Sequence, residues 1–314
     1  MYDVYLTKNG AKYYNELTTK DYVRTFDDID YEWSRVKNLY SSSIYSNDVV
    51  CDNGFCATAS SMYREKEGLL PYDELTEGML IKEYVEPRVY TTTQDDYYEL
   101  LGAFLADGHV KNQNGNISRQ VEFHMEKEWK VDKLKELTEN LNYDYNISQR
   151  QDESYLFVIN NGELSYGFRM LYDTVHDSKR FPSDVWEDTN ALCNILRGLM
   201  FDASKDGHRW SYGTSGFMLA VESSYALGML GIKHTLFKKE LSLQSSRWKD
   251  HYIIRFGKDY NPYNDSKISF FEDNGVDFCP VVESDNGYPI VGGLGGLILG
   301  TDKEYLNVEF FYVK

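Results

Sequence analysis

The periodicity of apolar residues changes twice along the chain, and this limits the possible folds more than any other feature. Residues 1–95 form short alternating stretches separated by turn signals, which is typical of β-structure. Residues 96–257 place apolar side chains at helical spacing, and short strand-like stretches return over residues 258–314. We therefore predict one all-β domain, 1–95 plus 258–314, that is interrupted by an inserted domain, 96–257.

The inserted domain contains an internal repeat of roughly 90 residues. An apolar helix, strands, a helix, a strand and a further helix follow one another in residues 96–182, and the same order begins again in residues 183–257. The predicted fold class is α+β, with two similar halves inserted in the β domain.

Composition excludes several classes of protein. The chain has 314 residues, 42% of them hydrophobic, which is enough for a large core and excludes a disordered chain. Its 33 basic and 50 acidic residues give a net charge of −17, so a surface that binds nucleic acid must be a local stripe of positive charge. We expect a cytoplasmic protein, because no apolar stretch approaches the roughly 20 residues that span a bilayer and no apolar signal segment opens the chain.

Residues 100–108 carry the strongest functional signal. Gly102 and Ala106 lie on one face of the predicted helix, where small side chains let a second helix approach closely. Asp107 ends the helix, and Gly108 is suited to a left-handed C-cap. A carboxylate at the end of two close-packed helices can share divalent cations with an acid of the other helix. The alternative is a core helix that ends in a solvated aspartate.

This stretch resembles the signature helix of the LAGLIDADG homing endonucleases. The resemblance implies two such helices at the interface of two αββαββα halves, each helix ending in a metal-binding acid. It also implies a monomer with pseudo-two-fold symmetry, Mg²⁺ or Mn²⁺ as the cofactor, and double-stranded DNA as the partner. Asp107 matches the acid of the first helix.

The second candidate helix departs from the family pattern. Counted from Gly198 as from Gly102, the acid position falls on Ala203. We expect the second catalytic, metal-binding acid at Asp202, after a local shift of the helix. Asp206, after an insertion, and the absence of a second acid remain open alternatives.

Two lysines match the family pattern to different degrees. Lys179 lies three residues before Pro182, in a basic segment that resembles the one preceding the second signature helix of endonuclease-bearing inteins. The resemblance implies that Lys179 holds or polarises the attacking water, or offsets charge on the phosphate; the alternative is a solvated basic turn. Lys233 is a weak candidate for the second-half lysine, and a solvated lysine after a core helix explains it better.

The resemblance implies a site-specific, metal-dependent DNA endonuclease of homing type, free-standing and derived from an intein. The alternative is a sequence-specific DNA-binding protein on the same scaffold with impaired catalysis. Strands of both halves would read base edges in the major groove. The candidate DNA contacts, each of which can equally be an ordinary solvated side chain, are Lys111, Arg119, Arg150, Arg209, Arg247 and Lys249.

The flanking β region resembles the Hint domain of inteins. Asn53-Gly54, Ala57-Thr58 and residues 72–81 fit a hairpin, part of a Thr-x-x-His motif, and an acidic turn that leads into a strand. Ser61 stands where that motif has its histidine, the first residues are Met1-Tyr2, and no His-Asn pair closes the chain. Because splicing needs those groups, we expect a splicing-inactive, Hint-like domain.

Overall fold

The structure is a computed structural model and describes residues 4–26, 31–51, 56–57, 61–65, 68–70, 76–77, 80–81, 86, 92–113, 116–206, 209–239, 250–257, 266–293, 296–300 and 311–312. Among these residues, no helix combines the length and the apolar character that crossing a membrane requires.

The chain begins with short strands and one long strand. The strands are β1 (Val4–Thr7), β2 (Gly10–Tyr13), β3 (Tyr22–Phe26), β4 (Tyr31–Cys51), β5 (Cys56–Ala57), β6 (Ser61–Glu65), β7 (Gly68–Leu70) and β8 (Leu80–Ile81). A tight turn joins β1 to β2, since Thr7 pairs with Gly10 and Gly10 has a φ of 102°. Of the other Hint-like motifs, Asn53-Gly54, Thr58, residues 72–75 and Gly78 lie outside the described residues.

The next elements form the first half of the helical region. They are α1 (Asp96–Asp107), β9 (Gly108–His109), β10 (Asn112–Gln113), β11 (Asn116–Ile117), β12 (Gln120–Met125), α2 (Glu128–Asn140), β13 (Tyr145–Gln149), β14 (Tyr155–Asn160), α3 (Gly162–Met170), β15 (Tyr172–Asp173) and β16 (Ser178–Lys179). The carboxylate of Asp95 caps α1 by accepting the N–H groups of Tyr97 and Tyr98.

The second half repeats this order. It contains α4 (Thr189–Leu199), a 3₁₀ turn (Met200–Asp202), β17 (Ser204–Asp206), β18 (Arg209–Thr214), α5 (Phe217–Met229), β19 (His234–Lys239) and β20 (His251–Gly257). The sheet of the first half runs β13-β14-β12-β9, and the sheet of the second runs β19-β20-β18-β17. Equivalent strands therefore occupy equivalent places, although within the described residues no helix after β20 corresponds to α3.

One helix is shorter than its apolar pattern predicts. The sequence indicates a helix that continues to Val175, whereas α3 ends at Met170. The side chain of Asp173 accepts hydrogen bonds from the backbone N–H groups of Val175 and His176, at 2.9 and 3.3 Å. Such local bonds compete with the helix and favour the turn between β15 and β16.

The last strands return to the first ones. They are β21 (Ser266–Ser284), β22 (Tyr288–Gly293), β23 (Gly296–Gly300) and β24 (Phe311–Tyr312). β22 pairs with β1 and β3, and β21 pairs with β4, so strands from both ends of the chain lie in one antiparallel sheet. Its order in the described residues is β7-β6-β23-β22-β1-β3-β4-β21-β8. The identification of this sheet as a Hint-like domain remains a prediction.

Helix α5 joins the large sheet to the helical region. All its residues are buried, as expected for a helix that is apolar on every side. It packs against β19 and β20 of the second half and also against β1, β2, β22 and β23. The hydroxyl of Tyr225 lies 2.8 Å from the carbonyl oxygen of Val4 and 2.9 Å from that of Ile290. The large sheet is therefore anchored directly on the second half.

Candidate active site between two helices

Helices α1 and α4 touch through their backbones. A Cβ atom on Gly102 would lie 2.0 Å from the carbonyl oxygen of Ile195, and one on Gly198 would lie 2.0 Å from that of Glu99. No side chain other than hydrogen fits at either position. The small-residue face predicted for α1 is therefore the crossing point, and Gly198 is the counterpart of Gly102.

A 3₁₀ turn brings Asp202 to the position that the spacing assigned to Ala203. Helix α4 ends at Leu199, and residues 200–202 continue as a 3₁₀ turn. An α-helix rises about 1.5 Å per residue and a 3₁₀-helix about 2.0 Å, so the path from Gly198 to Asp202 covers about 7.5 Å, as does the path from Gly102 to Asp107. The larger rise per residue of the 3₁₀ turn compensates for the path from Gly198 to Asp202 being one residue shorter than that from Gly102 to Asp107.

The charge of Asp202 acts on the carboxyl group of Asp107. Burial raises the pKa of Asp107, and the negative charge of Asp202 raises it further. The positive charges of Lys130 and Lys179, and the side chain of His124, act in the opposite direction. Asp107 and Asp202 therefore form one electrostatic site at the end of the helix pair.

The predicted left-handed cap at Gly108 is wrong. Gly108 is extended, with φ −77° and ψ 156°, and begins β9. A Cβ atom there would lie 2.5 Å from Cδ2 of Phe104 and 2.9 Å from Cε1 of Phe123. Close packing, and not a positive φ, requires glycine at this position.

The side chain of Lys179 caps the end of α1 instead. Its ammonium donates to the carbonyl oxygens of Phe104 and Gly108 at 2.7 Å and to that of Leu105 at 3.1 Å. Burial lowers the pKa of Lys179 to about 8, although the carboxylates of Asp107 and Asp202 oppose this shift. A cation at a helix C-terminus is favourable, and here it also lies beside the two acids.

Sequence reasoning missed two further residues of the site. Lys130, at the start of α2, places its Nζ 3.4 Å from Oδ1 of Asp202. Tyr212 on β18 is 3% exposed, and within the described residues its buried hydroxyl makes no hydrogen bond of normal geometry. Burial raises the pKa of Tyr212, and so do the charges of Asp202 and Asp107. Only the folded arrangement brings these residues together, so no local pattern could have revealed them.

The donor set suits a hard divalent cation. Mg²⁺ and Mn²⁺ prefer carboxylate and other oxygen ligands, and Asp107 and Asp202 are two carboxylates close enough for the charge of Asp202 to raise the pKa of Asp107. The charges of both aspartates also act on the buried hydroxyl of Tyr212, which interacts with the side chain of Thr214. The residues present therefore fit the cofactor that the family resemblance implies.

The remaining candidates have different surroundings. Lys233 follows α5 in the chain and is buried. The ammonium that contacts Asp202 belongs to Lys130. Lys111 forms an ion pair with Glu122 at 2.8 Å, while Arg119 and Arg150 are exposed. The backbones of Asp206 and Arg209 pair with each other, but their side chains lie outside the described part of the molecule, as do Arg247 and Lys249 entirely.

Residues 97–169, which span the first half, match the family model of the LAGLIDADG-like domain. No curated protein matches the chain.

Comparison with solved structures gives matches of low TM-score. The homing endonuclease I-DmoI, in complex with DNA and Ca, is 16% identical over 52% of this chain and 83% of that chain, with a TM-score of 0.39. Full-length DUF199/WhiA from Thermatoga maritima is 14% identical over 55% of this chain and 54% of that chain, with a TM-score of 0.37. TM-scores this low leave the function open.

Proposed function

We propose that this protein is a metal-dependent, site-specific endonuclease that cleaves double-stranded DNA, of homing type, free-standing and intein-derived. The observation that carries the proposal is the pair Asp107 and Asp202 at the end of two helices whose backbones touch at Gly102 and Gly198. A close crossing of this kind positions two acids from different parts of the chain at one site.

Each residue of the site has a distinct role in this proposal. Asp107 and Asp202 hold Mg²⁺ or Mn²⁺, which when bound supplies a hydroxide and offsets charge on the leaving oxygen. Lys179 uses its three N–H groups on the carbonyls of α1, so it fixes the end of this helix and contributes positive charge beside the acids. Lys130 neutralises Asp202 and keeps the acid in place.

The open faces of the two four-stranded sheets are the proposed DNA surface. On β12, Val121, Phe123 and Met125 are buried toward the helices, so the alternate residues face away from them. Arg255 on β20 is exposed with its guanidinium 4.4 Å from the ring of Phe237, and we add it to the candidate contacts. The proposed contacts from the sequence are Lys111, Arg119, Arg150, Arg209, Arg247 and Lys249.

The test is cleavage of a plasmid that carries the DNA flanking the gene of this protein, with Mg²⁺ and then with EDTA. Asp107→Asn and Asp202→Asn are expected to cut slower by orders of magnitude, because each removes a charge that holds the cation. DNA binding should persist or improve as repulsion from phosphate falls. Asp206→Asn is the matched control and should cut at the parental rate. Parental cutting by Asp107→Asn would refute the site assignment.

A binding protein without cleavage is the second candidate. One observation favours it: Lys130 already compensates Asp202, whose side chain is 43% exposed. In that case the parent protein binds its locus and cuts with neither Mg²⁺ nor Mn²⁺.

A further inference from the structure

A second group of potential metal ligands lies on the open face of the first sheet. In the register of this sheet His109 pairs directly with Glu122, and His124 follows two residues later on the same face of β12. The ligand atoms of the three side chains all lie within 4.8 Å of one another. The rings of His109 and His124 are stacked, with centroids 5.1 Å apart.

The carboxylate of Glu122 is buried with one oxygen unsatisfied. Glu122 is 3% exposed, and its Oε1 forms an ion pair with Nζ of Lys111 at a distance of 2.8 Å. Its Oε2 accepts no hydrogen bond within the described residues, and Nε2 of His109 lies 3.3 Å away. A buried carboxylate oxygen without a hydrogen bond is costly, and a cation held between this atom and the imidazole of His109 would compensate that cost.

We propose that His109, Glu122 and His124 bind one divalent transition-metal ion of the Zn²⁺ class, separately from the cation of Asp107 and Asp202. Two imidazole nitrogens and one carboxylate oxygen form a common ligand set for such ions, with open positions left for water. The paired aspartates, in contrast, offer only hard oxygen ligands.

The geometry needs only a small adjustment. Ligand atoms around a tetrahedral Zn²⁺ lie about 3.3 Å from one another, since each is about 2.0–2.1 Å from the ion. The pair of His109 and Glu122 already has this separation, so a rotation of His124 would complete the set. Lys111 stays on the other oxygen of Glu122 and orients this carboxylate as an outer partner.

A bound ion would change the charge of this surface. The group has one buried carboxylate on a face that the proposed function directs toward DNA phosphates. A divalent ion makes the local charge positive, and it also links β9, which leaves the end of α1, to β12. The metal site itself is independent of whether the protein cleaves DNA.

The test measures metal binding to the full chain after removal of metals with EDTA. We expect one equivalent of Zn²⁺ by calorimetry, a Co²⁺ absorption spectrum typical of nitrogen and oxygen ligands, and a rise of the melting temperature with Zn²⁺. Glu122→Gln and His124→Asn should weaken Zn²⁺ binding roughly a hundredfold or more. This exceeds the effect of losing a residue that only hydrogen-bonds to a ligand and does not touch the metal. Circular dichroism checks that both variants are folded.

Two control variants separate this site from other metal-binding groups. His251→Gln removes a histidine on β20 of the second half, and Asp107→Asn removes an acid of the proposed active site. Both should bind Zn²⁺ as the parent does. Loss of Zn²⁺ binding in Asp107→Asn, with retention in His124→Asn, would place the ion at the aspartates and overturn the proposal. Failure of the parent to bind one equivalent would also overturn it, and would leave the proposed cleavage untouched.

Discussion

The ammonium of Lys179 lies among the carbonyl groups of Phe104, Leu105 and Gly108, where α1 ends and β9 begins. Its nitrogen is also 4.8 Å from the centroid of the Phe104 ring. With a pKa of about 8, Lys179 carries its proton in most molecules at neutral pH. The backbone N–H of Gly108 also donates to the carbonyl of Phe104, so the side chain of Lys179 adds to the backbone cap at the point where α1 turns into an extended strand.

Lys179→Met should therefore lower the free energy of unfolding by about 2 kcal/mol, since three carbonyl groups at a helix end lose the ammonium, although that of Phe104 keeps the backbone N–H of Gly108. Lys135→Met is the control, because Lys135 forms only an exposed pair with Asp132 on α2, at 3.4 Å. Urea unfolding of both variants measures the difference. Equal stability of the two would contradict a capping role, and cutting by Lys179→Met should be slowed less than by Asp107→Asn.

A buried histidine makes stability depend on acidity. His234 is fully buried, and burial lowers its pKa to about 4. Its Nδ1 lies 2.9 Å from the carbonyl oxygen of Ile232, and its Nε2 contacts the hydroxyl of Ser224. The neutral ring satisfies both contacts, with Nδ1–H as donor and Nε2 as acceptor.

Stability should accordingly fall as the pH decreases from about 6.5 to 4, because the unfolded chain takes up a proton that folded His234 does not. The expected loss from this residue is about 3 kcal/mol, and it is complete below the pKa in the folded state. Urea unfolding across this range should show a smaller slope for His234→Gln than for the parent. An imidazole of His234 that titrates near its unperturbed pKa by NMR would contradict the expectation.

At the scale of elements, the crossing of α1 and α4 depends on two glycines. Gly102→Ala or Gly198→Ala places a methyl group against a backbone carbonyl oxygen 2.0 Å away, and backbone cannot rotate out of the way. We expect a loss of about 3 kcal/mol or more for either variant. Gly167→Ala on α3 is the matched control: nothing lies within 4 Å of the added Cβ.

The control should gain about 0.5–1 kcal/mol, because alanine is the better helix residue and no contact opposes it. Thermal and urea unfolding measure all three variants. A loss well below about 3 kcal/mol for Gly102→Ala would mean that the backbones of α1 and α4 lie farther apart than the 2.0 Å contact of the added Cβ implies.

Local sequence patterns predict α1 well and the second acid only in part. The small residue Gly102 and the cap at Asp95 are properties of one short segment, and the structure places Gly102 at the helix crossing as its spacing predicts. The position of Asp202 depends on whether the last turn of α4 is α or 3₁₀, and tertiary contacts decide this. Lys130 comes to Asp202 from another helix, so neither local periodicity nor spacing reveals the contact.

The long strands were also hidden from the sequence pattern. Residues 267–271 and 276–282 read as two strands because Asp273-Asn274-Gly275 is a turn signal. In the structure β21 continues through this point, where the register with β4 shifts between Asp273 and Gly275. The glycine segment is thus an irregularity in one strand, and only the partner strand decides between a turn and a bulge.

At the scale of the whole molecule, a buried ion pair joins three parts of the chain. Arg180 donates to Glu222 of α5 and to Asp173 of the β15–β16 hairpin, each at 2.9 Å, and also to the carbonyl of Ala11 in β2. Glu222 is fully buried and accepts the backbone N–H groups of Phe181 and Ala11, at 2.7 and 3.2 Å. The residue after Lys179 therefore links the large sheet to the helical region.

Arg180→Met should lower the free energy of unfolding by about 3–5 kcal/mol, because it leaves the carboxylate of Glu222 buried without its cation. The double variant Arg180→Met/Glu222→Met removes both charges, so it should be less destabilised than the two single variants added together. Lys238→Met is the control for an exposed pair, since Lys238 and Asp250 lie 2.8 Å apart with side chains 45% and 54% exposed, and it should cost less than about 1 kcal/mol. Urea unfolding of the parent, Arg180→Met, Glu222→Met and the double variant gives the coupling energy between Arg180 and Glu222. The same measurement on Lys238→Met provides the control. Single effects that simply add in the double variant would mean that Arg180 and Glu222 act independently of each other.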